Sequence, residues 1–497
     1  MPNLKLPRRP TPQQSALQFR ASLNPLPNKK LLTSASDRTA PPTLVNKTYT
    51  NPIPSSVRAV PEYDDMGGVV IAYPGTVPYS KNQVQLPPGG PRAFGIPNEL
   101  IVRMQQNDSK EPVHIFVMCA DFSERNNIIS DLLQTAAEIN VVFNPNNLHL
   151  IPWDTDTYWT RDYAPWWIYN KKTENYGIVK HGYTTLGGGS VGLVEGAEDV
   201  DPRVGQGIFR PNDDFGAVKL SDYLYGPIRK WNKASWPNHD TADTMKLQPI
   251  KEHEWYYLGL LDVGGNYMVT GNGTIASSYL VAKQNELPLG SVPIGPVLKG
   301  TDPTQQIVDA RMEYILSQFN RFMGLHNYHA LSDPTGTYIG HIDCWGKFLA
   351  DDKVLIAQSE DPKINLELDK ISSYFEHKGF KVFRVLCQNI YVPDTDDEPA
   401  TTAAYTNSLI LNKHVYVPLA GPKNDPLFNK FNDDALLAYR AALKDDQGHD
   451  VYTVVGIYGK PDFPWLGTDA MHCRTNAIPR QVVNRWLRSQ KNSRPVE

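Results

Sequence analysis

The chain has 497 residues, which suffices for one large domain or for two to three ordinary ones. Its formal net charge of −4 argues against non-specific binding to nucleic acids or membranes, since such binding requires a basic surface. Hydrophobic residues make up 40% of the chain, yet no apolar run approaches the roughly 20 residues that span a bilayer. We therefore expect a soluble globular protein.

The first 55 residues are rich in Pro, Thr, Ser and Asn and show no hydrophobic period, which predicts a disordered or extended arm. The opening segment, MPNLKLPRRP, is basic, but the apolar stretch of a secretory signal does not follow. N-x-S/T sequons at Asn46, Asn107 and Asn272 are a weak indication of secretion. The compartment therefore stays open, either cytoplasmic or extracellular.

Ordered structure is expected to begin in VRAVPEYDDMGGVVIAYPG, where an apolar run predicts the first strand. VHIFVMC predicts a further strand, followed by a helix near 124–138 and a strand in NVVF at 140–143. The stretch 180–250 is rich in Gly, Asn and Asp with little periodicity, so we interpret it as a long irregular segment of functional importance. A helix is predicted at 304–319 from apolar residues on one face.

The clearest pattern spans 354–386. VLIAQ predicts a strand, and Asp361 followed by Pro362 predicts the start of a helix whose apolar face ends at Phe375. Gly379 fits the position just after that helix, and FKVFRVL predicts the next strand. Similar units follow, with strands in SLIL, HVYVP and YTVVGI and a helix near 431–443. These repeated strand–helix–strand units indicate an α/β fold, although the pattern does not distinguish an open sheet from a closed radial arrangement.

The four cysteines are far apart and form no CxxC pair, which disfavours a zinc site or a disulfide framework. Cys119 and Cys387 end apolar runs and are predicted to be buried core thiols. Cys473 lies instead among polar residues in GTDAMHCRT, beside His472 and Arg474. Neighbouring positive charge lowers the pKa of a thiol, so we expect Cys473 to be a reactive thiolate.

Three further stretches, YWTRDYAPWW, DVGGNYMVTGNG and YIGHIDCWGK, combine polar residues with aromatic residues and glycines. Each has an ordinary structural explanation. Asp162 could simply pair with Arg161, and His341 and Asp343 could form a structural pair on one face of a strand. The two glycines of DVGGN are more often a tight turn than a ligand cradle. GxGxxG and Walker spacings are absent, so we reject a nucleotide site.

Together these stretches offer one thiol, one histidine and two carboxylates next to tryptophans. A cysteine protease needs no second aspartate of this kind. Two carboxylates suit a planar cation with several N–H donors, because each can accept two hydrogen bonds from a guanidinium. A tryptophan face adds cation–π attraction of roughly 0.5–2 kcal/mol. The pattern thus indicates attack by sulfur on the central carbon of a guanidinium group.

The same motifs carry a family resemblance. WTRDY, HIDCWGK, YTNSLILN and PWLGTDAMHCRT occur in the order found in the bacterial-type (Porphyromonas-type) peptidylarginine deiminases. These enzymes belong to the guanidino-group-modifying, or pentein, superfamily, which also includes agmatine deiminase. The resemblance spans roughly residues 57–476. It implies a five-bladed α/β propeller with a central active site, and conversion of arginine residues in peptides or proteins to citrulline with release of ammonia.

The resemblance also implies the catalytic roles. Cys473 is the expected nucleophile, and His341 is the expected general acid and base. Asp162 and Asp343 are expected to grip the guanidinium, and Asn407 to order the site. The family branch requires no calcium, other metal or organic cofactor, so no cofactor and no metal site are predicted.

On the substrate side, the resemblance places Trp159 against the arginine side chain and makes Tyr338 and Ile339 neighbours of the pocket. In the bacterial relatives two arginines hold the carboxylate of a C-terminal substrate arginine. Here Arg210 remains, but the other position is Ile208. We therefore expect weaker binding of a free carboxylate and broader acceptance of internal arginines.

The predicted organisation is an arm at 1–55, a catalytic domain at 56–480 and a C-terminal tail at 481–497. The expected partners are arginine-containing peptides or proteins, and neither nucleic acid nor a membrane. The oligomeric state and the physiological targets stay open. Two alternatives remain: a deiminase of a small guanidino compound such as agmatine, and a non-catalytic module that binds arginine peptides and would need neither Cys473 nor His341.

Overall fold

The structure is a computed structural model, and it describes 14 stretches of the chain. These are residues 45–74, 92–105, 111–155, 157–185, 188–189, 211–226, 254–285, 305–334, 341–390, 401–421, 423, 425–459, 465 and 469–492. Among these residues no helix has the length and apolar character needed to cross a membrane.

The strands within the described stretches are β1 Lys47–Thr50, β2 Val57–Ala59, β3 Met66–Ala72, β4 His114–Met118, β5 Leu148–Ile151, β6 Trp166–Asn170, β7 Asn175–Gly182, β8 Thr184–Thr185, β9 Gly188–Gly189, β10 Glu254–Leu261, β11 Met268–Val269, β12 Thr274–Ser278, β13 Asn327–Leu331, β14 Gly346–Ala350, β15 Lys353–Ser359, β16 Lys381–Cys387, β17 Asn389–Ile390, β18 Thr401–Thr402, β19 Leu409–Leu411, β20 His414–Leu419, β21 Thr453–Tyr458 and β22 Asn476–Pro479. The helices are α1 Asn98–Met104, α2 Arg125–Glu138, α3 Thr160–Tyr163, α4 Pro211–Asp214, α5 Gly216–Tyr225, α6 Leu280–Gln284, α7 Gln305–Met323, α8 Pro362–His377, α9 Pro426–Ala442 and α10 Arg480–Asn492.

One structural unit recurs in all five of the larger sheets that these strands form. Each sheet contains a parallel pair of strands whose connection carries at least one helix. The pairs are β3 with β4, β7 with β10, β12 with β13, β15 with β16, and β20 with β21. An antiparallel strand borders each pair, namely β22, β6, β11, β14 and β19 in the same order. The α/β prediction is confirmed, and the repeat exists in structure although the sequence shows no repeat.

The last strand of the described chain pairs with an early one in the first of these sheets. Strand β22 pairs antiparallel with β3, with Asn476 opposite Val70. Helix α10 then packs on β3 through buried Val483 and Trp486, and Gly67 allows this close approach, since a Cβ there would lie 2.6 Å from Cα of Arg480. The segment after residue 480, expected as a tail, is therefore largely a packed helix. Part of the expected arm is also ordered, because β1 pairs with β13.

Helix α8 illustrates how local sequence produces an element of these units. The Asp361 side chain accepts hydrogen bonds from the backbone N–H groups of Lys363 and Ile364 at 2.8 and 3.3 Å, which caps the N-terminus. Pro362 occupies the first turn, where no backbone donor is needed. The apolar face, including Phe375, is buried, and Gly379 adopts a φ of 89° beyond the end. The predicted helix and both flanking strands are confirmed.

Three local predictions are wrong. NVVF at 140–143 is not a strand; the chain turns there, and the strand is β5 at Leu148–Ile151. The stretch 180–250 is not irregular throughout, because α5 packs its buried face there. Asp343 does not lie on a strand with His341 but in a 3₁₀ turn at Ile342–Cys344. In the first two cases apolar spacing was too short or too sparse to distinguish the alternatives. Cys119 and Cys387 are buried, as predicted.

Candidate functional site

The candidate site is built from five turns that occupy equivalent places in the five units. Each turn lies directly before the antiparallel border strand of its sheet. The residues concerned are Asp162 before β6, Gly265 before β11, Asp343 before β14, Asn407 before β19 and Cys473 before β22. A motif that looks isolated in the sequence is thus one of five equivalent positions in the structure.

Hydrogen bonds join these turns in a closed ring. Each bond connects one turn to the next, and the last returns to the first. The bonds are Gly265 N to Asp162 Oδ1 at 3.2 Å, Ile342 N to Asn266 Oδ1 at 3.3 Å, Asn407 Nδ2 to Asp343 O at 3.4 Å, His472 N to Asn407 O at 3.2 Å and Arg161 N to Cys473 O at 3.1 Å. This ring holds residues from distant parts of the chain around one point.

Cys473 is a member of this ring and is only 6% exposed. It donates a hydrogen bond to Asp343 Oδ2 at 3.3 Å and accepts one from Asn407 Nδ2 at 3.0 Å. Burial raises the pKa of the Cys473 thiol well above its ordinary value, and the negative charge of Asp343 raises it further. The expectation of a lowered pKa is therefore wrong for the protein without substrate, because carboxylates, not cations, face the sulfur.

Asn407 fixes the backbone that presents the thiol. Its Oδ1 accepts hydrogen bonds from the backbone N–H groups of Ala470 and Cys473, both at 3.1 Å, while its Nδ2 donates to the sulfur. The side chain is fully buried. One amide thus satisfies two buried backbone donors and orients the thiol at the same time.

His341 and Asp162 face each other across Gly265. Nδ1 of His341 lies 4.0 Å from Oδ1 of Asp162. A Cβ on Gly265 would lie 2.7 Å from His341 Nδ1, 2.9 Å from Asp162 Oδ1 and 3.2 Å from Asp343 Oδ2. Only a residue without a side chain fits there, and the three functional groups converge on this one spot. Burial lowers the pKa of His341 to about 4, although Asp343 opposes the shift, so the imidazole is neutral and can accept a proton at neutral pH.

Asp343 is held in place by a series of buried ionisable side chains. His472 contacts Asp343 Oδ2 through Nδ1 at 2.8 Å and Glu62 Oε2 through Nε2 at 3.2 Å. Glu62 in turn accepts from Lys347 Nζ at 2.7 Å. Burial alone would raise the pKa of Asp343, but the hydrogen bond and the charge of His472 outweigh it and lower that pKa. These groups, together with Arg161, line a cavity of about 70 Å³.

Trp159 is held beside the thiol loop. Its Nε1 donates to Asp469 Oδ2 at 3.1 Å, and Asp469 forms a two-point ion pair with Arg474 at 2.7 and 3.0 Å. The Arg474 guanidinium stacks near the rings of Tyr158 and Trp465 at 4.9 and 5.1 Å. The turn that carries Asp162 and the loop that carries Cys473 are thereby joined a second time.

Six of the predicted site residues lie in the described part of the chain, and five of them come together around Gly265 or in its ring: Asp162, His341, Asp343, Asn407 and Cys473. The sixth, Trp159, is adjacent. Arg210, Ile208, Tyr338 and Ile339 lie outside the described residues.

Sequence reasoning missed Gly265, Glu62, Lys347 and Asp469. Gly265 had a signal, the glycine pair in DVGGN, but the same pair fits an ordinary turn. Lys347 lies in the HIDCWGK motif and Asp469 in PWLGTDAMHCRT, but neither was given a role, and Glu62 in PEYDD lies in none of the motifs. Within the described residues, no group of three or more His, Cys, Asp or Glu side chains is arranged to hold a metal ion.

A scan against models of known protein families found no match. Solved structures with a similar fold include a "putative agmatine deiminase" with a TM-score of 0.51 and 17% identity, covering 85% of this chain and 96% of that protein. The "putative arginine deiminase" from Porphyromonas gingivalis has a TM-score of 0.51 and 13% identity, covering 85% and 98% of the two chains. A "putative peptidyl-arginine deiminase" has a TM-score of 0.50 and 13% identity, with 85% and 99% covered. The chain therefore shares the α/β fold of these solved structures.

Proposed function

We propose that this protein is a guanidino-group hydrolase that converts arginine residues of peptides or proteins to citrulline and releases ammonia. One observation carries the proposal. His341, Asp162 and Asp343 converge at Gly265, and the buried thiol of Cys473 lies 3.3 Å from Asp343, so that four groups from three separate turns come together. A guanidinium placed there has a carboxylate for its N–H donors on two sides and a sulfur for its central carbon.

Because the pKa of Cys473 is raised, the thiol must lose its proton in the first step of the reaction. The cationic substrate brings positive charge between the carboxylates, which offsets the repulsion that keeps the thiol protonated. His341 accepts the thiol proton as sulfur attacks the guanidinium carbon. It returns that proton to one nitrogen of the tetrahedral adduct, and ammonia leaves a cationic S-alkylthiouronium on Cys473.

The same groups then hydrolyse the thiouronium. Water loses a proton to His341 and attacks the thiouronium carbon, and the C–S bond breaks to release the ureido product and regenerate the thiol. The hydroxyl proton of the adduct passes to sulfur, and the proton held by His341 is taken up by the released ammonia, so the net products are the ureido compound and ammonium. In the proposed arrangement Trp159 covers the aliphatic part of the arginine side chain, and no metal or organic cofactor takes part.

We further propose that the five units form a five-bladed propeller around this site and that residues 56–480 constitute the catalytic domain. The closed ring of hydrogen bonds between the five turns supports this arrangement. So does the pairing of β22 with β3, because it joins the last unit to the first.

A second candidate is hydrolysis of a small guanidino compound such as agmatine. The solved structures of similar fold include both a "putative agmatine deiminase" and a "putative peptidyl-arginine deiminase". The chemistry at Cys473 is the same in both cases, and only the far end of the substrate pocket distinguishes them. The retained Arg210 and the HCRT motif favour the peptide substrate.

One assay separates the candidates: ammonia and ureido product are measured from a benzoyl-arginine peptide, free arginine and agmatine. Turnover of the peptide supports peptidylarginine deiminase activity, and turnover of agmatine alone supports the second candidate. Cys473→Ser should abolish both, and unchanged turnover in that variant would refute the nucleophile assignment. Binding of the arginine peptide without any turnover would support a binding module instead.

A free-ended peptide and its C-terminal amide should show comparable kcat/KM, and total loss on the amide would contradict the expected tolerance of internal arginines.

A further inference from the structure

Four buried ionisable side chains contact one another in series, beginning at the thiol: Asp343, His472, Glu62 and Lys347. Every member except Glu62 is at most 5% exposed, and the Glu62 side chain is 13% exposed. We infer that Glu62, supported by Lys347, is a positioning residue that acts through His472 to aim the Asp343 carboxylate at a cationic substrate. This inference rests on the proposed function, since it assigns the residues that prepare the same site.

The His472 imidazole has a carboxylate at each of its two ring nitrogens. Its Nδ1 contacts Asp343 at 2.8 Å and its Nε2 contacts Glu62 at 3.2 Å, so both ring nitrogens face carboxylate oxygens. Glu62 therefore fixes the plane of the ring through its contact with Nε2, and the ring holds one oxygen of Asp343 in place through Nδ1.

Glu62 is in turn fixed by three of the five turns. Its Oε2 accepts from Lys347 Nζ at 2.7 Å, and Lys347 lies in β14, directly after the turn of Asp343. Its Oε1 accepts from Ile410 N at 2.8 Å, in the strand after the turn of Asn407. The same oxygen lies 3.8 Å from Nη2 of Arg161, which neighbours Asp162. These contacts fix the Glu62 carboxylate relative to three turns. Glu62 in turn fixes the His472 imidazole relative to the same turns.

The charge state is consistent with this role. Burial alone would raise the pKa of Glu62, but Lys347 and then His472 and Arg161 lower it well below its usual range. Burial lowers the pKa of Lys347, and Glu62 opposes that shift. Glu62 is thus a carboxylate throughout the neutral pH range, and replacing it with Gln removes one charge while keeping its size.

The test uses two alkylating probes of nearly equal shape. 2-Chloroacetamidine is a cation that an aimed carboxylate can hold, whereas 2-chloroacetamide is neutral and reports only the reactivity of the thiol. The ratio of their inactivation rates measures how well Asp343 and Asp162 grip a cation. In Glu62→Gln we expect this ratio and kcat/KM for a benzoyl-arginine peptide to fall about tenfold or more, with the chloroacetamide rate changed less than about threefold. Lys347→Gln should act in the same direction.

Glu99→Gln is the matched control, because Glu99 forms an ordinary ion pair with Arg103 at 2.8 Å within one helix. Its ratio should equal that of the unmodified protein. An unchanged ratio in Glu62→Gln overturns the inference, and so does an equal loss with both probes, which indicates general damage. Failure of both Glu62→Gln and Lys347→Gln to fold also overturns it in favour of a structural role. If the unmodified protein shows the same ratio of chloroacetamidine to chloroacetamide rates as free cysteine does, the proposed function fails instead.

Discussion

The thiol of Cys473 lies 3.3 Å from Oδ2 of Asp343, a carboxylate 130 positions earlier in the chain. The same oxygen accepts from His472, the residue that precedes the cysteine. A negative group directly against a buried sulfur opposes formation of the thiolate. The site is therefore prepared for a cation, and under the proposed function the substrate itself supplies the charge that activates the thiol.

This relationship predicts the pH dependence of alkylation. Because burial and then Asp343 raise the pKa of Cys473, 2-chloroacetamide should react with it more slowly at pH 7.5 than with free cysteine. The rate should still be rising above pH 9. In Asp343→Asn the rise should move to lower pH, since one negative charge is removed. The measurement is the inactivation rate from pH 6 to pH 10, and a plateau near neutral pH would contradict the raised pKa.

A methyl group on Gly265 should disable the site without unfolding the protein. The Cβ of Gly265→Ala would lie 2.7 Å from His341 Nδ1 and 2.9 Å from Asp162 Oδ1, so both groups must move. A displacement of that order lowers kcat/KM by about 100-fold. Gly346→Ala is the control, because its Cβ meets Ile356 at an ordinary 3.4 Å. Deiminase activity and thermal unfolding of both variants decide the matter; equal activity of the two would be evidence against convergence at Gly265.

Asn407→Ala should lose both stability and activity. Two buried backbone N–H groups, those of Ala470 and Cys473, would lose their acceptor, at about 1–3 kcal/mol each. Asn432→Ala offers a matched comparison, since its buried amide accepts from Tyr405 and from Ala420 N rather than from the loop that carries the thiol. Urea unfolding should show similar losses in both variants. Only Asn407→Ala should also lose activity per folded molecule, and retained activity there would exclude its role at the sulfur.

The folded protein should lose stability between about pH 6.5 and pH 4. Burial lowers the pKa of His329 to about 4, with Lys378 lowering it further, whereas an unfolded histidine titrates near 6.5. In that window the unfolded chain binds a proton that the folded chain excludes, so stability is full above the window and falls as the pH falls. The loss at pH 5 is about 2 kcal/mol per such histidine. His149, His181 and His341 have lowered pKa values and contribute in the same sense.

The measurement for this prediction is urea unfolding at pH 7.5 and at pH 5. His329→Gln should make the difference between the two pH values smaller. His377→Gln, at an exposed position on α8, should leave it unchanged. An equal difference in all three proteins would mean that the buried histidines do not control acid stability.

How much the sequence predicted depends on the distance over which each signal acts. Helix α8 was predictable because its cap, its apolar face and its terminal glycine are all local. The NVVF strand failed because four apolar-rich residues fit a turn after α2 equally well. The resemblance predicted roles for Cys473, His341 and both aspartates, and the structure brings these residues together. The residues adjacent to Cys473 predicted a lowered pKa for the thiol, whereas carboxylates near the sulfur raise it in the folded site.

The sequence by itself determined the α/β class and most of the strand–helix–strand units, and its residue types predicted a guanidinium site. Backbone propensity, apolar periodicity and short motifs suffice for these properties, because each acts over a few residues. Only the tertiary structure decided that five turns close into one ring, that His341, Asp162 and Asp343 converge at Gly265 and that Glu62 reaches His472. Those relationships join residues tens to hundreds of positions apart. They arise from the pairing of strands and the burial of charges, which no local stretch of sequence encodes.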